Sequence, residues 1–294
     1  MTNLLPKLPQ IFQMEIYGNC NYNCIFCPYG NGYKKRNCMI YLSYIKQLHK
    51  KGIFKSTKEI GLHVLGESTL HPEYFEIIKF LNSKGIKVKD ATNASRFEDI
   101  KFVKNLLKSK LSMLVISLDA FYETTYSKVK KTKIKLSDIL PGLIYYLKHT
   151  KIKTYIQAIR HEKYEKNEIK KFIKFWGKYF KNNLISFDYK FLDTWSGHFS
   201  YATTRETLKE KKAICPNIFR SISILSNGKV VPCCRVFDWS YSYGNIFKEE
   251  LKDIWGGKKH LKLIKDMLEG KYKILPCKNC KEWNIIMDME VFEE

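Results

Sequence analysis

Short apolar runs alternate along the chain with segments whose apolar residues recur at helical spacing. The runs predict strands at residues 11–17, 59–65, 88–92, 114–118, 154–159 and 185–191. The segments between them predict helices at residues 41–51, 72–81, 97–107, 137–147 (with Ser137 as the N-cap) and 167–180. Six alternations of strand and helix indicate an α/β fold with a parallel sheet, in which functional residues gather at the C-terminal ends of the strands.

The pattern changes after the sixth predicted strand. A polar, charged connector at 203–212 leads to two short apolar runs, 222–225 and 229–231, joined through Asn227 and Gly228. Asn-Gly between such runs predicts a β-hairpin. Two further helices are predicted, at 248–255 and 260–268. We therefore expect two domains, residues 1–200 and a smaller cysteine-rich α+β domain at 201–294.

Three cysteines, Cys20, Cys24 and Cys27, form a loop directly after the first predicted strand. Three thiolates from one loop leave one iron of a four-iron cluster open, and an open iron can bind a small molecule through an amine and a carboxylate. S-adenosylmethionine carries both groups. The alternatives are a zinc site, for which Cys38 is the nearby fourth cysteine, or buried structural thiols.

Four more cysteines flank the predicted hairpin and the last helices: Cys215, Cys233, Cys277 and Cys280. A hairpin brings its flanks together, and the CxxC pair supplies two further ligands. Four thiolates can enclose a zinc ion or an iron-sulfur cluster, and the spacing alone does not separate these two possibilities.

Composition narrows the class of protein. The 294 residues are 45% hydrophobic, and the sequence has no run of eighteen apolar residues and no signal-peptide pattern. We therefore expect a cytoplasmic protein without a membrane partner, whose nine cysteines stay reduced. The net charge of +23 is compatible with an anionic partner. The lysines are scattered along helices, which favours a solvated surface over nucleic-acid binding. The alternative is a basic zinc protein that binds nucleic acid.

The cysteine patterns resemble those of a known superfamily. The CxxxCxφC spacing, with Phe26 at the aromatic position, resembles the radical S-adenosylmethionine (radical SAM) superfamily, and the C-terminal cysteines resemble the SPASM and twitch auxiliary-cluster domains. No cysteine follows Cys280, which favours the shorter twitch-like form. The resemblance implies a partial (β/α)6 TIM-like barrel over about residues 9–195, two 4Fe-4S clusters, and S-adenosylmethionine as a cofactor.

The resemblance also implies cofactor contacts at the strand ends. Gly66 and Glu67 resemble the GGE motif that holds the methionyl amine, although Leu65 and Ser68 depart from that motif. An ordinary role as a cap or turn is the alternative for each position. The positions carried over are Phe26, Gly66, Glu67, Asn93, Ser117, Asp119, Gln157 and Arg160.

The implied reaction is reductive cleavage of S-adenosylmethionine, followed by hydrogen-atom abstraction from a substrate C–H bond. Cys234 is the expected hydrogen donor for an epimerisation: on an extended segment adjacent side chains point to opposite sides, so it would face away from a cluster that Cys233 binds. Packing as a small apolar residue is its alternative role. The competing outcome is oxidation of an alcohol to a ketone, with the auxiliary cluster as the electron acceptor.

Relatives of this kind act on peptides or on carbohydrates and aminocyclitols, and a flavodoxin- or ferredoxin-type protein is the expected electron donor. The first predicted strand begins near residue 11, with no leader-binding domain before it, which we expect to favour a sugar-type substrate without excluding a peptide.

Overall fold

A single nine-stranded sheet organises the computed structural model. The structure describes residues 5–160, 167–179, 183–191, 195, 214–238, 240–274 and 277–280. The strands are β1 (Gln10–Met14), β2 (Glu59–Gly61), β3 (Lys87–Thr92), β4 (Met113–Ser117), β5 (Lys153–Arg160), β6 (Ile185–Phe191), β7 (Ser221–Ile224), β8 (Lys229–Val231) and β9 (Gly244–Asn245).

Helices connect the strands and cover the sheet. The α-helices are α1 (Leu42–Lys50), α2 (Tyr74–Ser83), α3 (Ile100–Leu107), α4 (Glu123–Lys130), α5 (Leu136–His149), α6 (Glu168–Gly177), α7 (Asn217–Arg220), α8 (Leu251–Ile254) and α9 (Lys258–Leu268). Short 3-10 turns lie at Pro28–Asn31, Ser68–Leu70, Ser95–Glu98 and Cys277–Asn279. In the ranges described, no helix is both long enough and apolar enough to span a bilayer.

The strand order is β6-β5-β4-β3-β2-β1-β7-β8-β9. Strands β1 to β6 pair in parallel and in sequence order, which confirms the α/β class and the predicted partial barrel. The sheet is not closed, because β6 stands at one end of the order and β9 at the other. The predicted hairpin forms as β7 and β8 and joins the same sheet, since β7 pairs in parallel with β1.

The core lies between the sheet and the helices. On α2 the buried side chains are Tyr74, Ile77, Ile78 and Leu81, the helical spacing that turns one stripe inward. Burying one large aliphatic side chain of this kind stabilises the fold by about 1.5–3 kcal/mol. This packing fixes the helices against the sheet and leaves the strand ends to carry the polar loops.

Two helix predictions were wrong in detail. The helix predicted at 97–107 is interrupted: a 3-10 turn ends at Glu98, and α3 starts after Asp99, whose side chain accepts from the amides of Lys101 and Phe102. Ser137 is not an N-cap, because α5 begins one residue earlier, at Leu136.

Helix α4 was missed altogether. Its sequence lacks an apolar stripe, and its buried side chains are Thr125, Tyr126, Val129 and Lys130. The carboxylate of Glu168 holds its first turn, accepting from the amides of Phe121 and Tyr122 and from the Thr125 hydroxyl.

Candidate active site

The loop that carries Cys20, Cys24 and Cys27 (the loop thiols) follows β1. It is tightly wound, because Cys27 N donates to Cys24 O at 3.0 Å and Gly30 N donates to Cys27 O at 3.0 Å. Gly30 is required here, since an added Cβ would lie 2.1 Å from Cys24 O. The loop therefore has a defined shape without any disulfide, as none of the nine cysteines is disulfide-bonded.

The C-terminal end of α4 supports this loop. Ile25 N donates to Val129 O at 2.9 Å, and Asn23 N donates to Lys130 O at 3.3 Å. The hydroxyls of Tyr22 and Tyr126 are 2.7 Å apart. The loop is thus attached to a helix that the sequence pattern did not reveal.

The loop thiols lie in a low-dielectric environment. Burial raises the pKa of Cys27 to about 12, and it also raises the pKa values of Cys20 and Cys24. Cys20 and Cys27 also raise the pKa of Cys24, and Cys20 raises the pKa of Cys27, which indicates that the thiols lie near one another. Buried thiolates need a compensating cation, so this donor set fits a bound iron-sulfur cluster.

Gly66 and Glu67 sit beside the loop. An added Cβ on Gly66 would lie 1.7 Å from Tyr17 O, so no side chain fits there. Glu67 is 3% exposed, and its carboxylate accepts from Thr69 Oγ1 at 2.5 Å and from Thr92 Oγ1 and Asn93 N, both at 2.7 Å. Burial raises the pKa of Glu67 despite these bonds. A carboxylate has about four acceptor positions, so Glu67 keeps room for a further donor.

Asn93 connects the third strand to the cysteine loop. Its Nδ2 lies 3.5 Å from Cys20 Sγ and donates to Asn21 Oδ1 at 2.9 Å. Glu67 and Asn93 are thus brought together next to the first cysteine, as the strand-end argument predicted. Their contacts to a cofactor stay a prediction.

The predicted residues on β4 and β5 meet a side chain that the sequence analysis missed. Lys130 Nζ donates to Ser117 O and to Asp119 Oδ2, both at 2.6 Å. Asp119 is fully buried at φ +58° and also accepts from Ile159 N at 3.1 Å. Gln157 pairs with Ser117 across the two strands, and its carbonyl accepts from Asp119 N. A lone lysine in a polar stretch gives no sequence signal of burial.

Two further predicted positions complete this group. The Phe26 ring centroid lies 5.7 Å from Lys130 Nζ, and Phe26 O accepts from Trp195 Nε1 at 2.9 Å. Arg160 is the last residue of β5, but its side chain lies outside the described residues.

The second cysteine set surrounds the hairpin. Its members, Cys215, Cys233, Cys277 and Cys280 (the auxiliary thiols), are buried or half-buried. Burial raises the pKa of Cys233, and the neighbouring Cys234, Cys277 and Cys280 raise it further. Cys280 likewise raises the pKa of Cys215, where burial is again the main cause. These influences connect the auxiliary thiols as one group, and four thiolates can enclose a cluster.

In the described ranges, no group of three or more cysteine, histidine or carboxylate side chains is placed to hold a metal ion.

The local geometry around Cys234 differs from the prediction. Strand β8 ends at Val231, and Val236 N donates to Cys233 O at 3.1 Å, so Cys233 and Cys234 lie in a turn. Side chains alternate between opposite sides only on an extended segment. The turn therefore removes the reason for expecting Cys233 and Cys234 to point in opposite directions. Cys234 is half-buried.

A buried ion pair, also missed from the sequence, joins the loop to the hairpin. The Glu15 carboxylate pairs with the Arg36 guanidinium and accepts from Ser226 N and Oγ at 3.1 and 2.7 Å. Arg36 Nη1 also donates to Phe237 O at 2.5 Å. These partners are far apart in sequence, so no local motif could have indicated them.

Two protein-family models match the chain. One, described as the radical SAM superfamily, matches residues 14–175. The other, described as a SPASM iron-sulfur cluster-binding domain, matches residues 215–281.

Curated relatives are similar over part of their length. A UPF0026 protein of Helicobacter pylori is 29% identical over 133 residues, which is 42% of this chain and 42% of that protein. The tungsten-containing aldehyde ferredoxin oxidoreductase cofactor-modifying protein of Pyrococcus furiosus is 24% identical over 106 residues, 36% of this chain and 30% of that protein. The chain thus spans less than half of either relative.

Solved structures share the fold over nearly the whole chain. Streptococcus suis SuiB bound to precursor peptide SuiA superposes with a TM-score of 0.71 at 15% identity, covering 97% of this chain and 74% of SuiB. BtrN in complex with AdoMet and 2-DOIA gives a TM-score of 0.61 at 17% identity, with 93% of both chains covered.

Proposed function

The chain belongs to the radical SAM superfamily, and we propose that it takes a hydrogen atom from a substrate carbon and epimerises that carbon, with Cys234 as the hydrogen donor. Family membership sets aside the alternative of a zinc protein that binds nucleic acid. The competing outcome within the family is a two-electron oxidation of an alcohol to a ketone.

The family implies a 4Fe-4S cluster with S-adenosylmethionine, and the C-terminal domain implies an auxiliary cluster. The loop thiols would hold the first cluster and the auxiliary thiols the second. When bound, the first cluster and S-adenosylmethionine supply the 5'-deoxyadenosyl radical that removes the hydrogen atom. In the proposal Glu67 accepts from the methionyl amine, Gly66 lets the loop backbone approach, and Asn93 orients the edge of the site beside Cys20.

One observation carries the role of Cys234. The turn at Cys233 and Cys234 leads directly to Phe237, which packs against Tyr29 and Leu65 in a cluster that also contacts Cys20 and Cys27. Cys234 is thus three residues from a side chain in contact with the cysteine loop, while the adjacent Cys233 belongs to the auxiliary thiols. A half-buried thiol on the segment that joins the auxiliary thiols to this cluster is well suited to donate a hydrogen atom to a substrate radical.

Two solved structures that share this fold contain bound molecules that suggest the substrate class. SuiB is bound to a precursor peptide and BtrN to 2-DOIA, and both share this fold. We therefore propose a peptide or a carbohydrate or aminocyclitol substrate, and a flavodoxin- or ferredoxin-type protein as the electron donor.

The first test needs no substrate. Anaerobically reconstituted protein should bind about eight iron and eight sulfide per chain, for two four-iron clusters. With dithionite it should convert S-adenosylmethionine to 5'-deoxyadenosine, and Cys24→Ala should abolish this. Cys38→Ala, which removes a thiol outside both sets, is the matched control and should keep the activity. Protein that binds only zinc would refute the proposal.

The second test separates the outcomes. Candidate peptides and aminocyclitols are incubated with the enzyme in D2O. One deuterium in an epimerised product, lost in Cys234→Ala while 5'-deoxyadenosine still forms, supports the donor role. A product two hydrogens lighter, with Cys234→Ala fully active, assigns the enzyme as a dehydrogenase instead.

A further inference from the structure

Lys130 is a fully buried ammonium group at the C-terminal end of α4. Its side chain is 1% exposed, and lysine is among the residue types most rarely buried. It is ion-paired with Asp119, whose side chain is fully buried. Its second partner, the Ser117 carbonyl, is a backbone group at the end of β4. The chain thus keeps a charge in its interior where an apolar residue would be less costly to bury.

The position of this charge is specific to the cysteine loop. The main-chain carbonyl of Lys130 accepts from Asn23 N, and its Nζ faces the Phe26 ring. Phe26 lies between Cys24 and Cys27 in the sequence, and the distance from Lys130 Nζ to its ring centroid is 5.7 Å. Lys130 therefore contacts residues on both sides of Cys24 and brings its charge close to the loop thiols.

Asp119 offsets part of this charge, but the ammonium end of the pair faces the loop. Lys130 Nζ lies against the Phe26 ring, whereas the Asp119 carboxylate also accepts from Ile159 N on β5. The pair therefore presents its positive end to the loop thiols. A thiolate-ligated cluster gains negative charge on reduction, so a nearby buried cation favours its reduced form, and interactions of this kind are strong in a poorly screened interior.

We propose that Lys130 is a positioning residue that holds the Cys24 segment in place and raises the reduction potential of the cluster bound by the loop thiols. The proposal rests on cluster binding by these thiols, which the family implies. A purely structural lysine would stabilise α4 and the loop but would leave the potential of a correctly loaded cluster unchanged.

The test uses the reconstituted full chain and an EPR-monitored redox titration. The signal of the loop-thiol cluster is identified by its change on adding S-adenosylmethionine. Lys130→Met should shift the midpoint potential to more negative values, lowering the reduced-to-oxidised ratio at a fixed ambient potential about tenfold, or about 59 mV for a one-electron couple. Lys128→Met removes the same charge from an exposed position on the same helix and should leave the potential unchanged.

Two further variants separate electrostatics from folding. Lys130→Arg keeps the charge and should restore most of the potential. The double variant Asp119→Asn with Lys130→Met removes the whole pair, leaves no unpaired buried carboxylate, and should show a negative shift smaller than that of Lys130→Met. If Lys130→Met does not fold, the double variant alone must show a shift relative to Lys128→Met.

The outcomes are distinct. A midpoint potential in the loaded Lys130 variants that matches Lys128→Met overturns the inference while leaving the proposed function intact. Wild-type protein without any signal that responds to S-adenosylmethionine overturns the proposed function itself. A negative shift reversed by Lys130→Arg supports the role of Lys130.

Discussion

Replacing Arg36 with methionine tests whether the buried ion pair holds the cysteine loop to the hairpin. The side chains of Glu15 and Arg36 are 0% and 3% exposed. In Arg36→Met the Glu15 carboxylate keeps its hydrogen bonds from Ser226 but loses its only guanidinium partner among the described residues. Phe237 O loses its donor as well.

The expected cost is large because a buried charge is left without its counter-ion. Removing one partner of such a pair destabilises a protein by about 3–5 kcal/mol. At a denaturant dependence of about 3 kcal/mol per molar in urea, the unfolding midpoint should fall by about 1 M or more. Glu15→Gln combined with Arg36→Met removes both charges and should recover part of this loss.

The pH dependence has a definite sign. Burial alone would raise the pKa of Glu15, but the charge and hydrogen bonds of Arg36, together with the hydrogen bonds from Ser226, outweigh it and hold the pKa below the ordinary value of 4.5. A carboxyl group with a lowered pKa in the folded state stabilises the protein above pH 4.5 and loses this contribution as the pH falls through the folded value. The stability gap between wild type and Arg36→Met should therefore narrow below pH 4.5.

The assay is equilibrium urea unfolding of the cluster-free protein under reducing conditions, followed by tryptophan fluorescence. Lys51→Met breaks the exposed ion pair with Glu250, in which both side chains are 51% exposed, and serves as the control with no measurable change expected. If Arg36→Met unfolds at the same urea concentration as Lys51→Met, the reasoning about the buried pair is wrong.

Three other changes have clear expected outcomes. Gly66→Ala should destabilise the protein by about 1–3 kcal/mol or more, because the added Cβ would overlap Tyr17 O. Gly177→Ala is the control and should leave the stability unchanged, since nothing is found within 4 Å of its new Cβ. The urea midpoints of the two variants are compared. Glu67→Gln should leave the urea midpoint nearly unchanged, since the neighbouring threonine hydroxyls can accept as well as donate a hydrogen bond. It should weaken S-adenosylmethionine binding about tenfold or more in equilibrium dialysis. An unchanged affinity would show that Glu67 is not part of the cofactor site. Replacing all four auxiliary thiols with alanine should halve the bound iron, to about four per chain, while the EPR response to S-adenosylmethionine remains; loss of both would contradict two independent sites.

The positions of the strands were predictable because their signal is local, although β1 ends at Met14 and β2 at Gly61, short of the predicted residues 17 and 65. β6 occupies the predicted range, Ile185–Phe191, and β5 exceeds its prediction by one residue at each end. Helix α4 was not predicted because the sequence carries no local signal for it. Its inward face includes Thr125 and Lys130, which count as polar in any periodicity, so a buried helix looked like a polar connector. The lysine is tolerated inside because Asp119 compensates it, and that pairing is visible only in three dimensions.

The cofactor positions were predictable as a group but not in their bonding. Strand ends of a parallel sheet converge, which brought Glu67 and Asn93 to the cysteine loop as expected. The sequence could not indicate that the Asp119 carboxylate would form an ion pair with Lys130, or that Cys234 would lie in a turn. The error at Cys234 came from extending strand alternation past Val231, where β8 ends.

The relation between the two thiol sets depends on contacts between distant parts of the chain. The loop thiols follow β1, and the auxiliary thiols flank β7 and β8. Because Gln10 pairs with Ser221 and Met14 with Ile224, a backbone ladder fixes the two sets relative to each other. The turn at Cys234 then returns the chain from the auxiliary thiols to Phe237 and the cysteine loop, where Arg36 holds it through the Phe237 carbonyl. A change at Arg36 should therefore disturb the position of Cys234 as well as the stability of the fold, although neither residue belongs to a thiol set.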